Sequence, residues 1–298
     1  MGLGKKIRFI YNPKSGLIHS ENLLKRFINF YFPSNLCEYD FVKTEKRFHA
    51  LNSSRDAVKK KYDIVVAIGG DGTVNETASA LVNSETALGI VPVGSGNGLA
   101  RALQIPLVMR QAIKTITRGE VRAIDVGMVD NKYFFATAGM GFDAVLGKRF
   151  DKTKVRGPAP YYLYGIQEFF RYKAPLYEIK FDGQTVKKNA FIVAVANTKQ
   201  YGANAIICPS AEPDDGLLDL AIIDDVSLAK TLYYLPTLFT GKIEKAPVYE
   251  VYRSANFEIY REAPAPYTLD GEVYDGDKHL SYSLLPKALK IITGIDSF

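Results

Sequence analysis

The stretch DIVVAIGGDGTVNE, residues 63–76, decides how this chain folds. Its apolar run, Asp63–Ile68, predicts a strand buried on both faces, as in a parallel sheet. Three glycines and an acidic residue follow, and a helix is expected from about Asn75. A glycine-rich turn between a buried strand and a helix is typical of ligand-binding loops at the carboxyl edge of a parallel sheet.

Segments on either side of this stretch repeat the alternation of strand and helix. Strands are predicted at Lys6–Tyr11, Glu38–Lys43 and Leu88–Val93, with helical patterns between them, which indicates an α/β domain. After about Ile124, aromatic and β-branched residues predict mainly antiparallel strands. The sequence therefore predicts a parallel-sheet α/β domain over residues 1–123 and a mainly antiparallel β domain over 124–298. The extreme C-terminus could return to the first domain.

Three loops rich in glycine or hydrogen-bond donors are predicted at strand ends of the first domain. Glycines let the backbone approach a phosphate group closely, and a helix N-terminus offers unpaired N–H groups. Asp71 fits this setting if a Mg²⁺ ion lies between its carboxylate and a phosphate; the alternative is a helix-capping aspartate in a plain turn. The second and third loops contribute Gly94, Ser95, Gly96, Asn97, Asn12, Lys14 and Ser15.

Two further acidic groups lie in the second half. A hydroxyl acceptor needs a group to receive its proton, and a carboxylate of the triplet Asp270-Gly271-Glu272 can do so. A hairpin turn is the alternative, because Asp-Gly is a strong turn signal. The loop PSAEPDDGLLDL, residues 209–220, could hold a hard cation, and a solvated turn is the alternative.

Composition limits the class of protein. The 298 residues carry 38 Lys and Arg against 32 Asp and Glu, a formal net charge of +6 that favours anionic partners. Two cysteines are too few for a disulfide framework and fit a reducing cytosol. No apolar stretch is long enough to span a bilayer, so we expect a cytoplasmic protein with peripheral contact at the inner membrane face. Walker A, zinc and serine-hydrolase patterns are missing from the sequence.

The motifs IGGDGTVNE, VPVGSGN and NPKSG, in their order and spacing, resemble the catalytic-domain family of diacylglycerol kinases, with its bacterial soluble lipid kinases and its sphingosine and ceramide kinase relatives. The resemblance continues through Gly141-Phe142-Asp143-Ala144, Asp214–Asp219 and the DGE triplet, so it covers nearly the whole chain. It implies an N-terminal α/β domain and a C-terminal β domain with ATP between them. GGDGT alone is shared with NAD kinases.

The resemblance also implies roles by position. Glu272 would be the general base, assisted by Asp270 and by Asp71, which would also bind Mg²⁺. A structural Mg²⁺ would be held by the side chain of Asp215 and the carbonyl groups of Glu212 and Leu217. ATP would be surrounded by Asn12, Lys14, Ser15, Thr44, Gly69, Gly70, Asp71, Gly72, Thr73, Val74, Asn75, Gly94, Ser95, Gly96 and Asn97.

We therefore expect an ATP- and Mg²⁺-dependent lipid kinase of phospholipid metabolism, with a membrane lipid and no nucleic acid as its partner. The acceptor could be diacylglycerol-like or sphingoid-like, and the oligomeric state stays open, with a homodimer among the options. The alternatives are an NAD kinase and a nucleotide-regulated binding protein without catalysis.

Two aromatic segments are candidates for contact with an anionic membrane surface. The first, Tyr161–Tyr172, is flanked by Lys152, Lys154, Arg156, Arg171 and Lys173, a pattern that suits a bilayer interface. The second, Leu228–Phe239, is similar but contains Pro236. Packing against the domain's own sheet is the alternative for both.

Overall fold

The first four strands, which carry the strand-end loops, pair with one another in parallel. A computed structural model describes residues 4–15, 21–33, 37–151, 167–202 and 204–294. Strands β1 and β3 are neighbours, with β2 beyond β1 and β4 beyond β3. The bounds of these strands are Lys5–Tyr11 (β1), Cys37–Lys43 (β2), Ile64–Gly69 (β3) and Ala87–Pro92 (β4). Every residue of β3 and β4 is buried, as the continuous apolar runs predict.

Helices connect these strands and cover them. Helix α1 buries Leu24 and Ile28, whereas Leu23 is exposed. Helix α3 begins at Asp71, four residues before the predicted Asn75, because Gly70 takes the extended N-cap conformation directly after β3. The helices are Glu21–Tyr31 (α1), His49–Lys59 (α2), Asp71–Leu81 (α3), Gly98–Ala102 (α4) and Met109–Arg118 (α5).

The remaining strands pair mainly antiparallel, which confirms the predicted change of architecture. The order β16-β15-β7-β9-β8-β14-β17 forms the main path, and β12 and β13 extend from β9. Their bounds are Glu120–Val129 (β5), Lys132–Phe134 (β6), Thr137–Gly141 (β7), Leu176–Phe181 (β8), Gln184–Ala196 (β9), Gln200–Gly202 (β10), Ala205–Ile206 (β11), Leu218–Asp224 (β12), Tyr249–Ser254 (β13), Asn256–Arg261 (β14), Ala265–Leu269 (β15), Glu272–Gly276 (β16) and His279–Thr293 (β17).

Strand β9 separates two hydrophobic clusters of the β region. Val193 and Val195 lie in one cluster with the large side chains of β8, β14 and β17, and Ala194 and Ala196 lie in the other. Because side chains alternate across a strand, β9 supplies both layers at once. Helices α6 (Phe142–Asp151) and α7 (Leu228–Thr240) and the short 3₁₀ helix Ile243–Lys245 complete the described elements.

The chain divides into two compact units. Unit 1 holds the residues up to Val126 together with those from Pro286 onward, and unit 2 holds Gly127–Leu285. The last part of β17 belongs to unit 1, where Ile291 pairs with Leu88 of β4. The aromatic and β-branched stretch Lys132–Ala138 predicts one strand, but the structure has two, β6 and β7.

Candidate functional site

Three loops of unit 1 leave the same edge of the parallel sheet. Gly69 at the end of β3 is paired with Pro92 at the end of β4, so the loops that follow the two strands begin side by side. The third loop joins them where the amide of Asn12 donates to the carbonyl of Ile68 at 3.0 Å. Thr44 follows β2 at this edge, and its amide donates to the carbonyl of Tyr11 at 2.8 Å. The predicted loops therefore meet at one place in unit 1.

Two of these loops touch through their glycines. A Cβ atom at Gly94 would lie 2.5 Å from the Cα atom of Gly70, which is closer than real Cβ contacts allow. A Cβ atom at Gly96 would lie 2.5 Å from Oδ2 of Asp71. Here the lack of a side chain permits close approach of two backbones, and the same property opens the loops to a phosphate group.

Asp71 links the two loops through its carboxylate. Oδ2 accepts a hydrogen bond from the amide of Asn97 at 2.8 Å, and Oδ1 accepts one from the amide of Gly98 at 2.6 Å. The capping role that the sequence left as an alternative is thus present, although the capped amides belong to the neighbouring loop. A carboxylate has about four acceptor positions, so two of them remain for a metal ion.

The other side chains of this edge mostly hold the loops in shape. Asn97, in the left-handed conformation at φ 57°, accepts from the amide of Gly94 at 3.0 Å and donates to its carbonyl at 2.8 Å. Asn12 donates to Oγ1 of Thr73 at 3.0 Å and accepts from the amide of Lys14 at 3.0 Å. The Lys14 side chain is exposed. Of the predicted nucleotide residues, Asn12, Thr73 and Asn97 thus have structural contacts of their own.

Glu76, the last residue of the deciding stretch, has a role that the sequence did not indicate. Its carboxylate accepts hydrogen bonds from the amides of Phe48 at 2.8 Å and Leu51 at 3.4 Å, where helix α2 begins. Anionic side chains at a helix N-terminus satisfy amides that the helix leaves open. Glu76 therefore attaches α2 to α3 and supports the loop that precedes α3.

The triplet Asp270-Gly271-Glu272 forms the tip of the hairpin between β15 and β16. Asp270 and Gly271 have φ values of 48° and 87°, the pattern of a tight hairpin turn. The Asp270 carboxylate accepts from the amides of Phe135 at 2.9 Å, Ala136 at 2.8 Å and Thr137 at 3.2 Å. These bonds explain why the predicted strand Lys132–Ala138 is broken, since its amides turn to one carboxylate.

Glu272 follows this turn as the first residue of β16 and is partly exposed. Its Oε2 accepts a hydrogen bond from the Tyr274 hydroxyl at 2.9 Å, and Tyr274 in turn packs against Tyr267 with ring centroids 5.7 Å apart. The backbone on one side of Glu272 is fixed by Asp270 and its side chain by Tyr274. A carboxylate held in this way can accept a proton from a hydroxyl group.

A polar cluster around Asp143 was missed as a site by the sequence. Oδ2 of Asp143 accepts from the hydroxyls of Tyr201 and, at 3.4 Å, Thr268, and its Oδ1 is shielded from solvent with no hydrogen-bond partner among the described residues. Burial raises the pKa of this carboxyl above its usual range. Gly139 makes room for the cluster, because a Cβ there would lie 2.7 Å from Oγ1 of Thr268. The sequence signal for this cluster was the motif Gly141–Ala144, which is part of the family resemblance.

The acidic loop before β12 is occupied by ion pairs of the chain itself. Asp215 pairs with Arg253 and accepts from the amide of Leu217 at 3.0 Å, and Glu212 pairs with Lys199 at 2.8 Å. Within the described ranges, no group of three or more His, Cys, Asp and Glu side chains could hold a metal ion. The structural Mg²⁺ at this loop remains a prediction, and these ion pairs compete with it.

Asp219, behind the same loop, is fully buried. Its Oδ1 accepts from Nε of Arg253 at 3.0 Å, while Oδ2 has no hydrogen-bond partner in the part of the chain that the structure describes. Burial outweighs the attraction of Arg253 and raises the pKa of Asp219 to about 6. No helix in the described part of the chain is long and apolar enough to cross a membrane.

Comparison with known proteins agrees with both units. Residues 6–129 match the family described as "Diacylglycerol kinase catalytic domain", and residues 136–293 match the "YegS C-terminal NAD kinase beta sandwich-like domain". The diacylglycerol kinase of Staphylococcus epidermidis is 29% identical, over 99% of this chain and 94% of its own length. The Staphylococcus aureus enzyme is 28% identical, over 98% and 93%.

Solved structures show the same fold. A crystal structure of a diacylglycerol kinase from Bacillus anthracis superposes with a TM-score of 0.77 and 21% identity, over 99% of this chain and 98% of that one. Another structure from the same organism reaches a TM-score of 0.79 at 24% identity. The two family matches together cover almost the whole chain. The chain therefore belongs to the diacylglycerol kinase catalytic-domain family and is a lipid kinase.

Proposed function

We propose that this lipid kinase transfers the γ-phosphoryl group of Mg-ATP to a hydroxyl group of a membrane lipid, with a diacylglycerol-like lipid as the first candidate. The observation that carries the proposal is the meeting of three donor-rich loops at one edge of the unit 1 sheet, tied together by Asp71. Support for the acceptor comes from the Staphylococcus relatives named diacylglycerol kinase.

The residues of unit 1 suit the phosphates of ATP. Gly70 and Gly94 leave the loop backbones uncovered, and Lys14 and Ser15 add side-chain donors beside them. Asp71 keeps acceptor positions for Mg²⁺, which prefers one or two carboxylates together with phosphate oxygens. When bound, the metal would neutralise charge on the phosphates. Asn12, Thr44, Gly69, Gly72, Thr73, Val74, Asn75, Ser95, Gly96 and Asn97 complete the proposed nucleotide site.

The proposed chemistry is a direct transfer. A bond forms between the lipid hydroxyl oxygen and the γ-phosphorus, the bond from that phosphorus to the bridging oxygen of ADP breaks, and the hydroxyl proton passes to Glu272. In-line phosphoryl transfer depends mainly on positioning and charge stabilisation. Asp270 contributes by fixing the turn from which Glu272 projects. Peripheral contact with an anionic membrane would bring the enzyme to its acceptor.

The direct test is a phosphoryl-transfer assay with radiolabelled ATP on lipids in mixed micelles. The panel contains diacylglycerol, a sphingoid base and phosphatidylglycerol, and NAD is included because of the NAD kinase-like sandwich. We expect Mg²⁺-dependent labelling of diacylglycerol and none of NAD. Labelling of NAD alone, or of no acceptor while ATP binds, would reject the proposal in favour of the dinucleotide kinase or the silent binding protein.

A further inference from the structure

Helix α7, Leu228–Thr240 in unit 2, is apolar yet buries none of its residues. Its sequence LAKTLYYLPTLFT contains one charged residue, Lys230. Four large apolar side chains are exposed on it: Leu232 by 59%, Tyr233 by 75%, Leu235 by 44% and Phe239 by 54%. The sequence left core packing as the alternative for this segment, and the exposure of these side chains speaks against it.

The exposed side chains form one stripe along the helix. Leu232 and Phe239 are seven residues apart, nearly two turns, and so share one face, with Tyr233 at one border of it and Leu235 at the other. Solitary exposed apolar residues need no explanation, but contiguous ones mark an interaction surface. The segment keeps a regular end at Gly241, where the amide of Lys242 donates to the carbonyl of Thr237 at 3.0 Å.

The inner face of α7 packs on unit 2. Tyr234 and Leu238 contact the cluster around Ile223 and Tyr249, and an apolar cavity of about 70 Å³, lined in part by Leu235 at the border of this face, remains under the helix. The helix is therefore hydrophobic on both sides, which is expected for a helix that also has a partner on the outside. The inner face attaches the helix to unit 2, and the outer face is left for that partner.

Charge and length favour a lipid surface as the partner. Exposed charges on α7 and the following turn are mainly basic, with Lys230, Lys242 and Lys245 against Glu244. Basic residues near an anionic bilayer are attracted to its surface. Thirteen residues extend about 20 Å, too little to cross a hydrocarbon core of about 30 Å. Such a helix lies in the plane of the interface with its apolar side chains among the acyl chains.

We propose that the outer face of α7 docks on an anionic lipid membrane, with Leu232 and Phe239 inserted and Tyr233 at the depth of the headgroups. Tyrosine suits that depth because its ring is apolar and its hydroxyl is polar. The inference rests on the proposed function in one respect, namely that a kinase whose acceptor lies in a bilayer must reach it. The docking itself requires no catalysis.

A fluorescence experiment tests the docking directly, because the chain contains no tryptophan. Tyr233→Trp places a single reporter on the outer face of α7. Phe30→Trp is the matched control, since Phe30 is exposed by 74% on helix α1 of unit 1. Vesicles of phosphatidylglycerol and phosphatidylcholine are added, with and without brominated acyl chains. We expect a blue shift and bromine quenching for Trp at position 233 and neither at position 30.

The possible results separate the occupants. An unshifted, unquenched reporter at position 233 on vesicles that bind the protein would overturn the proposal, as would failure of the protein to bind such vesicles. A blue shift that grows with protein concentration without vesicles, together with a dimer in sedimentation, would overturn it in favour of a second copy of the chain. Quenching at position 233 without any lipid phosphorylation would support docking while rejecting the proposed function.

A second pair of variants measures the effect on activity. Leu232→Ser with Phe239→Ser removes two exposed apolar side chains, and Phe30→Ser with Val108→Ser removes two of similar exposure from unit 1. Burial of one such side chain is worth enough to change partition about tenfold. We expect the α7 pair to lower vesicle binding at least tenfold and activity on vesicles in parallel, with activity on a short-chain soluble diacylglycerol unchanged within twofold. Equal activity losses on both substrates, or unchanged vesicle binding, would contradict the proposal.

Discussion

The strand-end loops of unit 1 and the hairpin tip of unit 2 share one structural feature. In each, the carboxylate of an aspartate that the sequence predicts as a site residue accepts hydrogen bonds from several backbone amides. Asp71 accepts from two amides of a neighbouring loop, and Asp270 accepts from the amides of Phe135, Ala136 and Thr137. Both acids therefore shape backbone, whatever else they bind.

The two regions differ in what the aspartate organises. Asp71 lies among glycines whose backbones are open to a ligand, so the same carboxylate can also face that ligand. Asp270 accepts three amides, and Glu272, two residues further on, accepts a hydrogen bond from the hydroxyl of Tyr274. In the proposed mechanism, unit 1 therefore combines loop shaping and binding in one residue, whereas unit 2 divides positioning and proton transfer between two.

Asp71→Ala should have the largest effect, because it removes two amide acceptors and the proposed metal ligand together. We expect kcat to fall about 10⁴-fold, since loss of one well-placed electrostatic partner already costs about 10²–10³-fold. Steady-state kinetics at saturating Mg²⁺ measures this, with thermal unfolding as the check that the fold is retained. Near-normal turnover would show that Asp71 serves neither purpose in catalysis.

Glu272→Gln tests the division of labour in unit 2. The substitution keeps size and hydrogen bonding but removes the proposed base, so kcat should fall roughly 10²–10⁴-fold with little change in ATP affinity. Titration of the variant with ATP separates the two quantities. A large loss of ATP binding with normal kcat at saturation would assign Glu272 to the nucleotide instead.

Asp270→Asn should affect both activity and stability, though less strongly. The amide side chain can no longer accept all three backbone bonds, so we expect roughly a tenfold loss of kcat and a decrease of about 1–3 kcal/mol in the free energy of unfolding. Asp275→Asn is the control, because Asp275 belongs to the second Asp-Gly pair and is exposed. If both variants behave alike in urea unfolding and in the assay, Asp270 has no special positioning role.

Asp219→Asn should change stability alone, in a pH-dependent way. Burial raises the pKa of Asp219 in the folded state to about 6, whereas an aspartate in an unfolded chain has a pKa of about 3.9. The stabilising contribution of protonated Asp219 is therefore complete below about pH 4 and is lost as the pH rises through 6. The variant should therefore be more stable by about 1–3 kcal/mol above pH 6 and gain little at pH 4. Unfolding is followed at several pH values, with Asp225→Asn as the exposed control. A stability difference independent of pH would contradict the assignment.

The sequence predicted the fold because its signals there are local. The run Asp63–Ile68 is apolar at every position but the first, and glycines follow it directly, so β3 and its loop could be placed without any partner. The same holds for the hairpin at Asp270, whose turn needs only two residues. Family motifs then identified the class of enzyme.

The contacts that organise the candidate sites could not be predicted, because they join distant residues. Asp71 reaches the amide of Gly98, and Glu76 reaches the amide of Phe48. Asp143 meets Tyr201 only because α6 and β10 approach the same glycine. For α7 the sequence showed an apolar helix but not which face of it is buried, because that depends on how the helix packs on the cluster around Ile223 and Tyr249. The membrane contacts predicted for residues 152–166 concern a part of the chain outside the described residues.

Strand β17 has a consequence for how this protein is made. Most of unit 1 is encoded before unit 2, yet the strand beside β4 follows all of unit 2 in the sequence, and its residues Leu289 and Ile291 are fully buried. On the ribosome, unit 1 must therefore wait with one edge of its sheet uncovered until β17 has been synthesised. A nascent chain stalled before Pro286 would present β4 as an open edge, a target for chaperones or for aggregation.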